Sequence, residues 1–310
     1  MNENFLWVEK YRPKTVNDTV LPANLKATFQ TFVDTKSVPN LILAGPAGSG
    51  KTTIAKAMLE ELQCDYIVIN GSLNGNIDTL RNEIQQFAST VSMMGGRKYV
   101  ILDEADYLNP NSTQPALRNF MEEYSKNCGF ILTCNYKNRI IEPLHSRCSV
   151  VEFKFSKAEL YDMVKEFFGR TLQILKQEGV EFDKESVAGL IKKHMPDWRR
   201  VLNELQRYSA SGKIDSGILS KTDTGKFSAL IEHMKAKSFT EVRKWVGENV
   251  DSNVDELFRS FYDQAANIIE TRKIPILVML IAKYQYQAAF VADQEVNIAA
   301  FCAEVMIECL

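Results

Sequence analysis

The chain has 310 residues, 45% of them hydrophobic and 25% charged, which is the composition of a globular protein with apolar material for two or three domains. Its 37 Lys and Arg against 39 Asp and Glu leave a net charge of −2, which excludes a wholly basic nucleic-acid binder and leaves room for a local basic face. No apolar run reaches the roughly 18 to 20 residues of a membrane span, the amino terminus has no signal-peptide pattern, and the six cysteines never form a C-x-x-C pair. A cytoplasmic, intracellular protein with free thiols, no structural zinc and no membrane partner is expected.

Between residues 41 and 153 short apolar runs alternate with amphipathic stretches. Runs without polar alternation are strands covered on both faces, so this region reads as a parallel sheet in an α/β sandwich. The first run, Leu41-Ile42-Leu43, leads into Gly45-Pro46-Ala47-Gly48-Ser49-Gly50-Lys51-Thr52, a G-x-x-x-x-G-K-[ST] pattern without a mismatch, followed by Thr53 and an apolar-faced helix. Such glycines let backbone N–H groups turn toward phosphates, Lys51 reaches the β- and γ-phosphates, and the Thr52 hydroxyl ligates Mg²⁺. This is the phosphate loop of a P-loop NTPase.

After the run Tyr66-Ile67-Val68-Ile69, the segment Asn76-Ile77-Asp78 opens a helix that carries Arg81 near its start. The next strand, Tyr99-Val100-Ile101-Leu102, ends in Asp103-Glu104. Downstream of a P-loop, Asp103 is placed to bind Mg²⁺ and Glu104 to polarise the attacking water. The letters Asp103-Glu104-Ala105-Asp106 spell D-E-A-D, but a helicase of that kind needs a second α/β motor, and no such pattern follows residue 154. The run Phe130-Ile131-Leu132-Thr133 leads through Cys134 to Asn135, a polar residue at the strand end where ligands of such sheets lie. Asn135-Tyr136-Lys137-Asn138 lacks the order and the acid of the guanine-reading N-K-x-D, so ATP is expected rather than GTP.

The last run of this region is Val150-Val151-Glu152-Phe153. Beyond it the strand signal stops, and residues 156–178, 183–194 and 197–209 read as helices, with Pro196-Asp197 as breaker and N-cap. From about 225 to 310 everything reads as helix, with breaks near Lys237-Ser238, Asp251-Ser252-Asn253 and Pro275. The last two helices, Ile274 to Val291 and Val296 to Leu310, are apolar enough to be buried against other helices, including those of another subunit.

Together these motifs resemble the AAA+ superfamily, and within it the sliding-clamp loaders. Trp7-Val8-Glu9-Lys10-Tyr11-Arg12-Pro13-Lys14 is similar to the amino-terminal signature of replication factor C small subunits, and Ser146-Arg147-Cys148 to their S-R-C motif. Pro196-Asp197-Trp198-Arg199-Arg200 with Leu202-Asn203-Glu204-Leu205-Gln206 resembles their sensor-2 helix. The passage Arg207 to Leu219 resembles the lid-to-collar stretch of T-even-type bacteriophage clamp loaders, which would place the protein in a host cytoplasm. The resemblance implies an AAA+ α/β P-loop domain with a parallel sheet (1–154), an all-α lid (155–222) and an all-α collar that joins subunits (223–310).

The resemblance also assigns roles. Val8, Tyr11 and Arg12 would line the adenine end, Asn135 would be sensor 1, and Arg147 would be an arginine finger reaching a neighbour's ATP. Arg199 would be sensor 2, with Arg200 as competitor; on a helix the two point about 100° apart. Arg81 matches a position used on the duplex backbone, whereas Asn74-Gly75-Asn76 replaces the basic residue that often precedes the Ile-Asp pair. The implied partners are primer–template DNA, a sliding clamp, further copies of the chain and at least one different subunit. Two rivals remain: an AAA+ remodeller or helicase loader, which would lack the E-K-Y-R-P and S-R-C marks, and a non-catalytic scaffold subunit, which would have lost the P-loop or Glu104.

Overall fold

The computed structural model describes residues 5–72, 77–92, 95–210, 212–215, 224–249, 254–264, 269–288 and 290–310. Asn74-Gly75-Asn76, Ser211, residues 216–219, the expected boundary at 222 and the expected break at Asp251-Ser252-Asn253 lie outside the described residues. The chain divides into two compact units, Met1–Leu219 and Ser220–Leu310.

In the first unit, helices α1 (Trp7–Lys10) and α2 (Ala23–Asp34) precede a five-stranded sheet. Its strands are β1 (Leu41–Ala44), β2 (Tyr66–Asn70), β3 (Lys98–Asp103), β4 (Cys128–Cys134) and β5 (Ser149–Glu152), in the order β2-β3-β4-β1-β5. Every pairing is parallel, as the unbroken apolar runs predict. Side chains alternate across the sheet with a period of two. Leu41, Leu43, Ile101 and Ile131 pack on one face with Ile54, Met58 and Leu59 of α3 (Lys51–Glu61). Ile42, Val100, Leu102, Phe130 and Leu132 pack on the other with Leu80 and Ile84 of α4 (Ile77–Ala88) and Leu117 and Phe120 of α5 (Thr113–Glu123). Burial of each such side chain contributes roughly 1.5–3 kcal/mol. That packing holds the carboxyl ends of β1, β3 and β4 side by side.

A short helix α6 (Glu142–His145) leads to β5, and three lid helices follow it: α7 (Lys157–Gln177), α8 (Lys184–His194) and α9 (Trp198–Ser209). Each starts at a side-chain cap: Ser156 with Glu159 in a capping box, then Asp183, then Asp197. The lid is helical as expected, and it adds one feature. The loops after α7 and α9 run alongside each other as a parallel pair, β6 (Glu181–Phe182) with β7 (Lys213–Ile214), too short to show a period in sequence. The amino-terminal segment belongs to this core: Trp7 packs with Phe167, Trp198 and Leu202. Its backbone is fastened to α9, where Gln206 accepts from the Trp7 N–H (2.9 Å) and donates to the Phe5 carbonyl (2.7 Å).

The second unit is helical: α10 (Thr224–Lys235), α11 (Phe239–Asn249), α12 (Val254–Asp263), α13 (Ile274–Ala288) and α14 (Gln294–Glu308). Aromatic rings fill its centre. Phe301 stands 4.9 Å from Phe261, 5.1 Å from Phe258 and 5.6 Å from Tyr284, each edge to face. The expected burial of α13 and α14 is met on one face only, since Met279, Tyr286, Val296 and Ile307 of the same helices are exposed. None of the described helices is long and apolar enough to cross a membrane. Because Phe301 is fully buried, Phe301→Ala should lower the stability of this unit by about 3–5 kcal/mol, read by denaturant titration.

Candidate active site

The P-loop begins where β1 runs out. Gly45 donates to the Cys134 carbonyl at 3.1 Å, and a Cβ on it would lie 2.6 Å from that of Phe153, so no larger residue fits. Gly48 and Gly50 hold φ of 69° and 94°, the left-handed region that glycine enters without a steric penalty. Gly50 is the N-cap of α3, whose first residue is Lys51. The unpaired N–H groups at that helix start make an anion site.

Lys51 is 8% exposed, and its ammonium donates to the carbonyls of Gly45 and Pro46 at 2.8 Å and to Asn135 Oδ1 at 3.0 Å. Burial pushes its pKa below the ordinary lysine value; the nearby Cys134, Asp103 and Asp106 work against the shift, and Arg199 adds to it. Asn135 is brought to the P-loop by strand register: Ala44 of β1 lies opposite Cys134 of β4.

Asp103 closes β3. Its Oδ1 accepts from Thr52 Oγ1 at 2.6 Å and from Thr133 Oγ1 at 2.5 Å. The same Thr133 hydroxyl accepts from the Glu104 N–H at 3.1 Å. Glu104 follows with φ of 56°, a left-handed conformation that costs a non-glycine residue free energy and turns the chain out of the strand. Asp106, the last letter of D-E-A-D, is 6% exposed and accepts through Oδ2 from the N–H groups of Asn135 (3.1 Å) and Tyr136 (3.2 Å). It fixes the end of β4. With the helicase reading of D-E-A-D set aside, no motif gives Thr133 or Asp106 a role; their remaining signal is position, Thr133 two residues before Asn135 and Asp106 two after Glu104.

A cavity extends from the P-loop to the lid, lined by Val8, Tyr11, Arg12, Gly48, Gly50, Lys51, Thr52, Thr53, Trp198 and Arg199. The amino-terminal signature and the P-loop, far apart in sequence, meet here. Tyr11 donates its hydroxyl to Glu178 at 2.5 Å, and Arg12 is held by Glu9 through Nε at 3.0 Å. Arg199 lines this cavity and Arg200 does not. The start of α9 rests directly on the P-loop. Trp198 donates its backbone N–H to the Gly48 carbonyl at 3.3 Å, and a Cβ on Gly48 would fall 1.8 Å from Asp197 Oδ1.

Two expected residues lie apart. Arg147 does not line the cavity; its guanidinium is held by Glu122 of α5 and by the Pro143 carbonyl at 2.9 Å. The adjoining Cys148 packs against the sheet core, where burial pushes its thiol up to about 12 and leaves it an inert anchor. Arg81 is exposed on α4, and the Asn74-Gly75-Asn76 departure lies outside the described residues. Gln114, at the start of α5, was not marked by sequence either: it donates to the carbonyls of Leu108 and Arg139 and accepts from the Ile141 N–H at 2.9 Å.

Comparison with known proteins is consistent with this arrangement. Residues 41–155 match the family model "ATPase family associated with various cellular activities (AAA)", and residues 159–220 match "Sliding-clamp-loader large subunit, AAA+ ATPase lid domain". The chain is 39% identical to the sliding-clamp-loader large subunit of Escherichia phage RB69 over 83% of each chain. It is also 39% identical to that of Enterobacteria phage T4 over 76% of this chain and 75% of the relative. The replication factor C small subunit of Saccharolobus solfataricus is 33% identical over 98% of this chain and 95% of its own. Among solved structures, the RuvB Holliday junction branch migration motor of Thermotoga maritima superposes with a TM-score of 0.52 at 18% identity, covering 72% of this chain and 79% of that one, a likeness of fold. A P-loop joined to that lid, with relatives of this identity over most of their length, places the chain in the sliding-clamp-loader family of AAA+ ATPases.

Proposed function

We propose that this chain is an ATP-hydrolysing motor subunit whose nucleotide state controls how a sliding clamp is held open and closed on primer–template DNA. The observation that carries the reading is the Thr52–Asp103–Thr133 cluster beside a buried Lys51 whose three acceptors are neutral oxygens. The acids Asp103 and Asp106 act on this ammonium only from a distance, its direct acceptors being carbonyl-type oxygens, and a phosphate would supply a charged partner in contact. Thr52 and Asp103 are hard oxygen donors of the type Mg²⁺ takes, and they would hold it. When bound, Mg²⁺ neutralises charge on the phosphates. Glu104 would take the proton of the attacking water, Asn135 would orient the γ-phosphate, and Arg199 would carry the lid's charge onto it. Thr53 and the loop residues from Gly45 to Gly50 would wrap the phosphates, with Val8, Tyr11 and Arg12 toward the base.

Arg147 is read as acting on a neighbour, because it does not line its own chain's cavity. Copies would join through the 223–310 collar, with at least one different subunit, and the exposed apolar residues of α13 and α14 supply a surface for that contact. The 1–154 and 155–222 portions would form the motor and lid. Arg81, exposed on α4, would meet the duplex backbone, a contact that positions without reading sequence. ATP would favour the assembled state, and hydrolysis would withdraw that preference.

The test is turnover by the chain with its partner subunits, with and without clamp and primer–template DNA. Clamp and DNA together should stimulate it, and Arg147→Ala should reduce the stimulated rate by about 10³-fold or more while leaving ATP binding in place. Full stimulated turnover in that variant would remove the in-trans role; indifference to clamp and DNA would remove the loader reading. Gly48→Ala probes the lid contact. It forces an alanine into a left-handed conformation costing about 1–2 kcal/mol and drives its Cβ into Asp197. ATP affinity measured by titration should fall by about 10-fold or more.

A further inference from the structure

Glu122 occupies the last turn of α5, where a carboxylate is disfavoured by the helix dipole, and it pairs with Arg147 across 25 residues of sequence. The pair is half in solvent, with 57% of the Glu122 side chain and 33% of the Arg147 side chain exposed, so it contributes little to folding. Its geometry is specific all the same. One oxygen, Oε1, accepts from Nε at 2.9 Å and from Nη2, the side edge of the guanidinium. On the other nitrogen, Nη1 donates to the Pro143 carbonyl at 2.9 Å and to Ser146 Oγ at 3.3 Å. Among the described residues these four bonds leave one Nη2 N–H of the five guanidinium donors, which a phosphate oxygen can take.

The supports of this grip are themselves fixed. Gln114 fastens the start of α5 to Arg139 and Ile141, on the approach to α6, and Cys148 anchors the residue after Arg147 in the core. The geometry points to Glu122 as a positioning residue that aims Arg147: it locks a long flexible side chain by its Nε–Nη2 edge while the guanidinium stays partly exposed. This rests on the reading of Arg147 as the residue that reaches a neighbour's phosphate. An unaimed arginine must be ordered anew at each engagement, and misplacement of a charged group by about 1 Å costs up to about 100-fold in rate.

The experiment compares Glu122→Ala, Glu122→Gln, Arg147→Ala and the Glu122→Ala/Arg147→Ala double variant, each as full chains assembled with partner subunits, clamp and primer–template DNA. Glu122→Ala should lower stimulated kcat by about 10- to 100-fold with KM for ATP and the thermal unfolding midpoint unchanged. Glu122→Gln, which keeps an acceptor oxygen, should turn over at an intermediate rate, and the double variant should match Arg147→Ala. Turnover in Glu122→Ala at or above the unsubstituted rate, beside an inactive Arg147→Ala, would overturn the positioning role alone; a double variant slower than Arg147→Ala would do the same. Unimpaired turnover in Arg147→Ala would overturn the in-trans reading, and this inference with it.

Discussion

One carboxylate oxygen organises the site. Asp103 Oδ1 accepts hydroxyls from Thr52 on α3 and from Thr133 on β4, which ties the P-loop helix, the β3 end and the β4 end together at one atom. The arrangement depends on register. Leu102 lies opposite Leu132 and Leu43 opposite Thr133, so β4 brings a hydroxyl between the acid of β3 and the loop that leaves β1. A slip of one residue would turn Thr133 to the other face of the sheet and leave Asp103 without its neighbour. The apolar packing of both faces is thus what sets the chemistry, because it is what fixes the register.

The same dependence runs outward from the P-loop. Two helix starts meet at it: α3 begins at Lys51, and α9 rests its first backbone N–H on Gly48. Helix starts favour anions, and the start of α9 touches the loop through the Gly48 carbonyl. The amino-terminal segment completes the enclosure, since Trp7 is part of the lid core and Gln206 holds its backbone. The side of the cavity lined by Val8, Tyr11 and Arg12 is therefore built onto the lid.

The parts legible in sequence are those written on contiguous residues with a chemical reason for each letter. Gly45 to Thr52, Asp103-Glu104 and the Asp197 cap after Pro196 are of this kind, as is Asn135 at its strand end. What stayed hidden is what depends on distance in the chain. Thr133 and Asp106 act across strands, and a threonine in an apolar strand or an acid after Asp103-Glu104 has no mark of its own. Gly48 already has a reason to be glycine in a P-loop, which conceals the second one, its contact with Asp197. The β6–β7 pair is two residues long, below any readable period. The choice between Arg199 and Arg200 needed the lid placed against the loop, and with that placement Arg199 alone of the two lines the cavity.

Glu122 shows the limit most clearly. It is one of two adjacent acids at an exposed helix end, and sequence offers no ground for preferring it to Glu123. Its partner is fixed by the fold, through a cysteine that burial makes inert and a glutamine that staples α5 to the segment beyond β4. A site completed by a neighbour's arginine asks that the arginine be ordered before the neighbour arrives, because an interface that must also freeze a side chain loses affinity to that ordering. A partly exposed ion pair, weak as a source of stability, is suited to this: it restricts rotamers while leaving the guanidinium at the surface. With Arg147 acting in trans as proposed, weakness and function are compatible because the pair would set direction, which catalysis between subunits lacks when each subunit is built separately.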